Sequence, residues 1–234
     1  IVGAASSFNR GSQDSTGDLS KTKNKYNSYG IHAYGAYSPS SNLNVVGTLT
    51  YLRSSSDITQ YINAAGFENA DADVKTNLLA AGIRVETTLK ARSSSVVPHA
   101  GIPYVYAKSE KYDTKVDGKK SWSNKTKANH ATQFPIGVAL CGDIATGNGW
   151  NICPQADLTF IPQAGSTNQR TTLTDVNGIS DRISGEFAGN FGTNVNLGVQ
   201  ADKGGAALGF LYGFTGGSKG KADHTLRLEA HWRF

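Results

Sequence analysis

The sequence has 234 residues, a formal net charge of +5, a pI near 9.1 and 38% hydrophobic residues, with a mean hydropathy of −0.36. No run approaches the roughly 20 apolar residues of a membrane-crossing helix, which excludes a helical membrane protein but not a β-barrel, whose strands are only half apolar. With 27 Gly, 10 Tyr and no Met, the composition suits strands and turns, in one large all-β domain or two small ones.

Ten segments of period-two patterning follow in order: 2–9, 27–38, 43–54, 75–87, 96–108, 132–141, 150–162, 193–202, 205–216 and 224–234. The chain opens directly on Ile1-Val2-Gly3 with no secretory signal, so an exported protein of this sequence would be a processed or excised piece. The second segment puts Tyr29, Ile31, Ala33 and Tyr37 on one face, with Ser28, Gly30, His32 and Tyr34 opposite. In the fourth, Leu79, Ala81, Ile83 and Val85 oppose Ala80, Gly82, Arg84 and Glu86; in the ninth, Ala206, Leu208, Phe210, Tyr212 and Phe214 oppose Ala207, Gly209 and Gly213. The last alternates Leu226, Leu228, Ala230, Trp232 and Phe234 with Arg227, Glu229, His231 and Arg233. Small residues and ions repeatedly share the second face, whereas a sandwich core puts large residues inside and ions out.

The connections alternate in length. Long polar stretches, 10–26, 55–74, 109–131 and 163–192, follow the odd segments, and short ones, 39–42, 88–95, 142–149 and 203–204, follow the even ones. The stretch 217–223 breaks the pattern by being short. Long connections on one rim and tight turns on the other predict a transmembrane up-and-down antiparallel β-barrel with both ends of the segment on the short-turn, periplasmic side. Within 163–192, residues 169–175 and 182–190 either extend strands above the membrane or fold inward. The outward set Ile31, Tyr37, Leu49, Ile83, Ile102, Val138, Leu158, Leu197, Phe210 and Leu228 is expected to meet lipid. Arg84, Glu86, Asp157, Arg227 and Glu229, joined by His32, His99, His231 and Arg233, are expected to line the lumen. There they either hold a passing chain or solute, or pair among themselves as buried charges do.

The lysines cluster at 21–25 and 108–127, both read as loops. Without a groove helix or an aromatic-basic sheet face they do not indicate nucleic acid; membrane-surface phosphates are the better anionic partner. Cys141 and Cys153 flank the 142–149 turn on the lumen face, and their placement predicts a disulfide in an oxidising periplasm. Two cysteines do not make a zinc site, and no metal or cofactor is expected. No catalytic residue is assigned. The opening Ile-Val-Gly resembles a trypsin-like N-terminus but lacks the Gly-Asp-Ser-Gly and Ala-x-His-Cys segments of that family. Asp71, Asp73, Asp223 and His224 offer an omptin-like aspartate pair and Asp-His couple, although adjacent Asp223 and His224 should diverge in a strand.

Several stretches together resemble the C-terminal translocator barrel of the bacterial autotransporter (type V secretion) family. They are 1–9 followed by 27–51 (Tyr-Gly-Ile-His-Ala-Tyr-Gly-Ala-Tyr, then Leu-Asn-Val-Val-Gly-Thr-Leu-Thr-Tyr), Pro-His-Ala-Gly-Ile-Pro-Tyr-Val-Tyr at 98–106 with its partial repeat at 154–160, and 208–234. The resemblance implies a Gram-negative outer-membrane barrel of about twelve strands with a helix in the pore and an N-terminal passenger that the barrel exports or displays. This sequence departs from it: ten strands are visible, the first resembles the family's third, and the first hairpin, pore helix and passenger are not among these residues. Residues 1–234 are then a single translocator domain, a monomer in lipid and lipopolysaccharide. Leu226, Leu228, Trp232 and the terminal Phe234 match the signal read by the barrel-assembly machinery. The alternatives are a small adhesin or porin whose 108–127 loops bind a host ligand or solute, and the omptin-like surface protease.

Overall fold

The structure, a computed structural model, describes residues 1–16, 20–64, 67–166, 168–186, 189–220 and 222–232. Ten long antiparallel strands form a meander: β1 (Val2–Thr16), β2 (Ser20–Ser40), β3 (Leu43–Ala64), β4 (Phe67–Thr87), β6 (Ser94–Ser109), β10 (Ile136–Gly142), β12 (Asn151–Gly165), β15 (Phe191–Lys203), β16 (Ala206–Gly217) and β17 (Ala222–Trp232). Each pairs with the next in this series. All ten expected segments are strands of this wall. Short strands β5 (Leu89–Ala91) and β11 (Ile144–Ala145) decorate two of the tight turns. Gly204 and Gly205, at φ of 57° and 90°, make the two-residue left-handed turn between β15 and β16 that the twist of a hairpin favours.

Cross-strand pairing puts residues of the expected outward set on one face. One row reads Ala4, Ala33, Leu49, Ala81 and Tyr104 across β1 to β6. Another reads Pro98, Val138, Leu158, Val195 and Phe214 across β6 to β16. These outward side chains are not packed into a centre: Ile31 is 64% exposed, Ile83 60%, Ile102 59% and Leu228 75%. Among the described residues Ala131 is the sole buried hydrophobic residue, and no large side chain is fully buried. A water-soluble chain of this length would bury a sizeable apolar core to offset its ordering entropy. Here the apolar surface can be removed from water only by lipid.

The long polar stretches differ from the expectation of loops: most of their described residues are strand. β3 has 22 residues and β2 and β4 have 21 each, about twice the 9–11 that cross a bilayer. Their excess pairs above the apolar band, through Lys21 to Asn27 on β2, Ser55 to Tyr61 on β3 and Asn69 to Lys75 on β4. The stretch 109–131 folds as β7 (Tyr112–Val116), β8 (Lys119–Thr126) and β9 (Asn129–Gln133), and 163–192 holds the hairpin β13 (Asn168–Asp175) and β14 (Ser180–Glu186). Of the two possibilities left open for 169–175 and 182–190, strand extension is the one formed, up to Glu186. The pairings β4–β7, β7–β8 and β8–β13 join these pieces into one raised sheet. Polar sequences still form strands here because each backbone group finds a partner on the strand continuing from the membrane wall.

The β7–β8 hairpin turns at Asp117 and Gly118, both at positive φ. Asp113 accepts hydrogen bonds from Lys120 and Ser123, and chiefly the Lys120 contact holds its carboxyl below the usual carboxylate range. A depressed pKa lends support that is present above the ordinary carboxylate range and lost as pH falls through the folded value. Amide exchange across 112–126 should therefore accelerate at acid pH more than in the membrane strands. Asp113→Asn should abolish that difference.

The expected Cys141–Cys153 disulfide is not formed; both thiols are free. Both do lie on the face opposite the apolar band. However, β10 and β12 pair Cys141 with Gln155, and Cys153 lies two residues further along, opposite Gln200 of β15. Diagonal neighbours stand about 7–8 Å apart, beyond the Cα separation a disulfide bridges. Intact mass should be unchanged by reductant, and alkylation of unfolded protein without reductant should add two labels.

Candidate functional site: the polar face of the wall

The face opposite the apolar band carries the polar residues that the period-two pattern places there. Arg84 Nε meets Glu86 Oε2 at 3.1 Å on β4. On β17, Arg227 Nε meets Glu229 Oε1 at 2.6 Å, and His231 Nε2 lies 3.7 Å from Glu229 Oε2. Each pair is two residues apart on one strand, the spacing that puts both side chains on the same face. Arg84 and Arg227 keep 47% and 65% of their side-chain surface, so each pair adds little stability, about 0–1 kcal/mol. Their effect is to keep this face wetted with charges of both signs. Arg233 lies outside the described residues.

His99 and Asp157 form a tighter centre. His99 is 6% exposed, its Nε2 is 2.9 Å from Thr159 Oγ1, and that hydroxyl donates to Asp157 Oδ1 at 2.7 Å. Because Thr159 spends its proton on the carboxylate, its oxygen accepts from the imidazole Nε2–H. His99 is on β6 and Thr159 on β12, with β10 between them. The residue of β10 opposite both is Gly137. A Cβ there would come within 2.5 Å of His99 Nε2 and 2.6 Å of Leu158 O and Thr159 Oγ1. The missing side chain is what lets the ring cross a strand. A second histidine, His32, joins three strands: Nε2 is 2.9 Å from Ser7 Oγ and Nδ1 is 3.0 Å from Thr50 Oγ1.

Between these points the face carries short hydroxyls, of which the sequence alternation had placed Ser28 here. Ser28 donates to Ser54 at 2.9 Å, and Thr76 pairs with Ser109 at 2.9 Å. The available signal was the recurrence of Ser and Thr on the alternate positions of segments already read as strands. Tyr34 and Tyr26 lie on this face over Gly3 and Gly11 of β1, covering backbone that glycine leaves bare. The rings of Phe8 and Tyr29 lie tilted against each other (5.1 Å between centroids, 42° between planes) at one border of the apolar band. Trp232, 72% exposed, marks the other on β17. Leu226 and Leu228 are 66% and 75% exposed on the same outward face, and Phe234 lies outside the described residues.

The four residues of the protease alternative are dispersed. Asp71 and Asp73 are on β4, accepting from Thr59 at 2.8 Å and Ser55 at 3.3 Å. Asp223 and His224 are on β17, which shares no pairing with β4 among the described residues. His224 points outward, with Nδ1 2.8 Å from the Tyr212 hydroxyl and its ring beside Phe214. Among the described residues no three His, Cys, Asp or Glu side chains gather as metal ligands.

A strand wall with lipid-seeking residues outside, wetted polar residues inside and aromatic borders defines an outer-membrane β-barrel protein. The autotransporter β-domain family model matches residues 1–217, and the chain belongs to that family. The match ends before β17. The solved translocator domain of the autotransporter NalP from Neisseria meningitidis is similar with a TM-score of 0.66 at 17% identity, covering 100% of this chain and 76% of that one. The β-domain of the Bordetella autotransporter BrkA is similar with a TM-score of 0.64 at 14% identity, covering 100% of this chain and 91% of that one. No curated protein sequence matches. The chain is an outer-membrane translocator for passenger export.

Proposed function

We propose that the polar face is the transit surface for the protein's own N-terminal passenger, and that residues 1–234 export or display it without chemistry of their own. The observation that carries this reading is the register: an apolar outer row and a hydroxyl- and ion-lined inner row stay in phase across ten strands. A passing chain needs a wet wall rich in small donors and acceptors.

In the same reading the tight turns and both ends of the segment are periplasmic, and the raised sheet is extracellular. β1 pairs only with β2 and β17 only with β16 among the described residues. Open edges in hydrocarbon leave backbone groups unpaired at several kcal/mol each. We therefore place two further strands of the same polypeptide, from outside residues 1–234, between β1 and β17. The partners proposed are outer-membrane lipid and lipopolysaccharide along the apolar band and its rim. The barrel-assembly machinery would read Leu226, Leu228, Trp232 and Phe234, and the barrel would act as a monomer.

The test is display. An epitope-tagged domain fused upstream in the full-length protein should be removed by protease added to intact cells. An assembled, heat-modifiable barrel whose fused domain stays protected would overturn the export reading.

A further inference from the structure

The outward face of the raised sheet has two regions of different charge. Over β1 to β7 cations are matched by acids: Lys23, Lys25 and Lys115 stand directly opposite Asp14, Asp57 and Asp71, and Lys120 contacts Asp113 at 2.9 Å. On β13, β14 and the adjoining end of β8 they are not. Pairing sets Lys125, Thr172 and Arg182 side by side in one outward row, and Arg170 beside Ser184 in the next. Lys127 donates its backbone N–H to Arg170 O at 2.8 Å, which places it in that second row. Lys125, Lys127, Arg170 and Arg182 are exposed, and among the described residues none has a carboxylate within ion-pairing distance. Like charges facing each other across strands destabilise a sheet. An anion seated among these four removes the repulsion, and the two guanidinium groups present the paired donors that suit phosphate oxygens. A phosphate monoester brings up to about two negative charges, which suits a patch of four cations better than a single carboxylate.

Height selects the class of anion. Tyr106 of β6 shares a row with Ile31, Tyr51 and Leu79 at the upper border of the apolar band, and its partner on β9 is His130. Lys127 precedes His130 by three residues, which carries it about 10 Å above that border at the rise of an extended chain. Lys125 and Arg182 stand further out still. The polar layer of a bilayer adds only about 5–8 Å on each side of the hydrocarbon, so the phosphate of an ordinary phospholipid stops short of the patch. Phosphates carried on the sugars of a glycolipid reach it. Lys108, exposed in the row of Arg53 and Asn77, lies between the border and the patch. Arg53 in that row is paired with Glu110 at 2.9 Å, whereas Lys108 has no such partner among the described residues. Cations at successive heights suit a ligand anchored in the band and rising from it. At the same rim β15, β16 and β17 turn outward Phe191, Thr193, Phe214, Gly216, Ala222 and His224, with no Lys or Arg, so the patch is one-sided.

We infer that Lys125, Lys127, Arg170 and Arg182 seat phosphate groups on the core sugars of lipopolysaccharide, with Lys108 beneath them holding a phosphate nearer the membrane. The inference rests on the proposal that the raised sheet is extracellular and that the rim meets lipopolysaccharide; it adds which residues hold the lipid and which part of it they hold. The matched charges over β1 to β7 offer no comparable seat.

The experiment uses the full-length protein in detergent micelles. The probes are lipopolysaccharide with phosphorylated core sugars, and lipid A, which keeps the lipid's own phosphates but has no core. The unsubstituted protein should retain the first several-fold better than the second. Lys125→Gln with Arg170→Gln should remove that preference, whereas Lys90→Gln with Arg92→Gln, the same loss of charge on the opposite rim, should keep it. All four positions are exposed, and heat-modifiability checks that each barrel is assembled. Equal retention of the two lipids overturns the inference, as does an unchanged preference in the Lys125 and Arg170 variant or the same loss in the control. Inositol hexakisphosphate in solution bound as tightly as the lipid also overturns it, since the ligand would then not be membrane-anchored. If the unsubstituted protein retains neither lipid, the lipopolysaccharide partnership itself falls. If Lys125→Cys is not labelled by an impermeant maleimide on intact cells, the extracellular placement of the raised sheet falls.

Discussion

Leu158→Arg should prevent stable assembly, while Asp157→Asn beside it should leave the barrel insertable. Leu158 is 54% exposed on the outward face, directly opposite Val138 on one side and Val195 on the other. Neither cross-strand partner is a carboxylate, and Asp202, the one carboxylate of β15, pairs seven residues away with Asn151. A guanidinium at the bilayer midplane costs about 2–4 kcal/mol, a large part of the 5–15 kcal/mol that stabilises a folded domain. The heat-modifiable band of the folded barrel should be lost or strongly reduced for the arginine variant. If the two variants migrate alike, the outward and inward faces have been interchanged.

Gly137→Ala should destabilise the barrel by about 1–3 kcal/mol, because its Cβ displaces His99 from Thr159 and leaves a buried polar group without its partner. The new atom also meets Leu158 O, a backbone oxygen that cannot move without disturbing the β10–β12 ladder. The midpoint of urea unfolding in lipid vesicles should fall for Gly137→Ala and for His99→Ala. The double variant should cost less than the sum, since the alanine at 99 vacates the space that the Cβ of residue 137 needs. Strict additivity would mean that the imidazole does not cross β10.

The two predictions differ in how readable their residues are beforehand. Leu158 belongs to the alternation Ala156, Leu158, Phe160, and its neighbours on β10 and β15 repeat the pattern. A face assigned strand by strand therefore already names it as outward. The ion pairs Arg84–Glu86 and Arg227–Glu229 are equally legible, since residues two apart on a strand must share a face. Gly137 is not. Its reason for being glycine is a histidine 38 positions earlier meeting a threonine 22 positions later, and that meeting exists only once β6, β10 and β12 are in register. The cysteines show the same limit. Facing the lumen was readable from alternation, but whether they were opposite or two residues out of step depended on the β10–β12 register.

The polar stretches were misjudged for a related reason. Lys21 to Lys25 and Ser55 to Val74 carry no apolar alternation strong enough to announce a strand, and by themselves they would prefer water. Their described residues are strand because the membrane wall delivers their backbones side by side, so the ladder continues at little further entropic cost.

By itself the sequence determined the class of the molecule. A two-residue period with ions and small residues on one face has a single stable solution, a strand wall with lipid outside and water inside, and the alternating connections set its up-and-down order. Only the tertiary structure decided which residues meet across strands: the His99–Thr159 bridge over Gly137, the separation of Cys141 from Cys153, and the pairing of β4 with β7 and of β8 with β13. Period is a local property of the chain, carried by each strand alone. Register is a property of pairs of strands, and it arises only when they assemble.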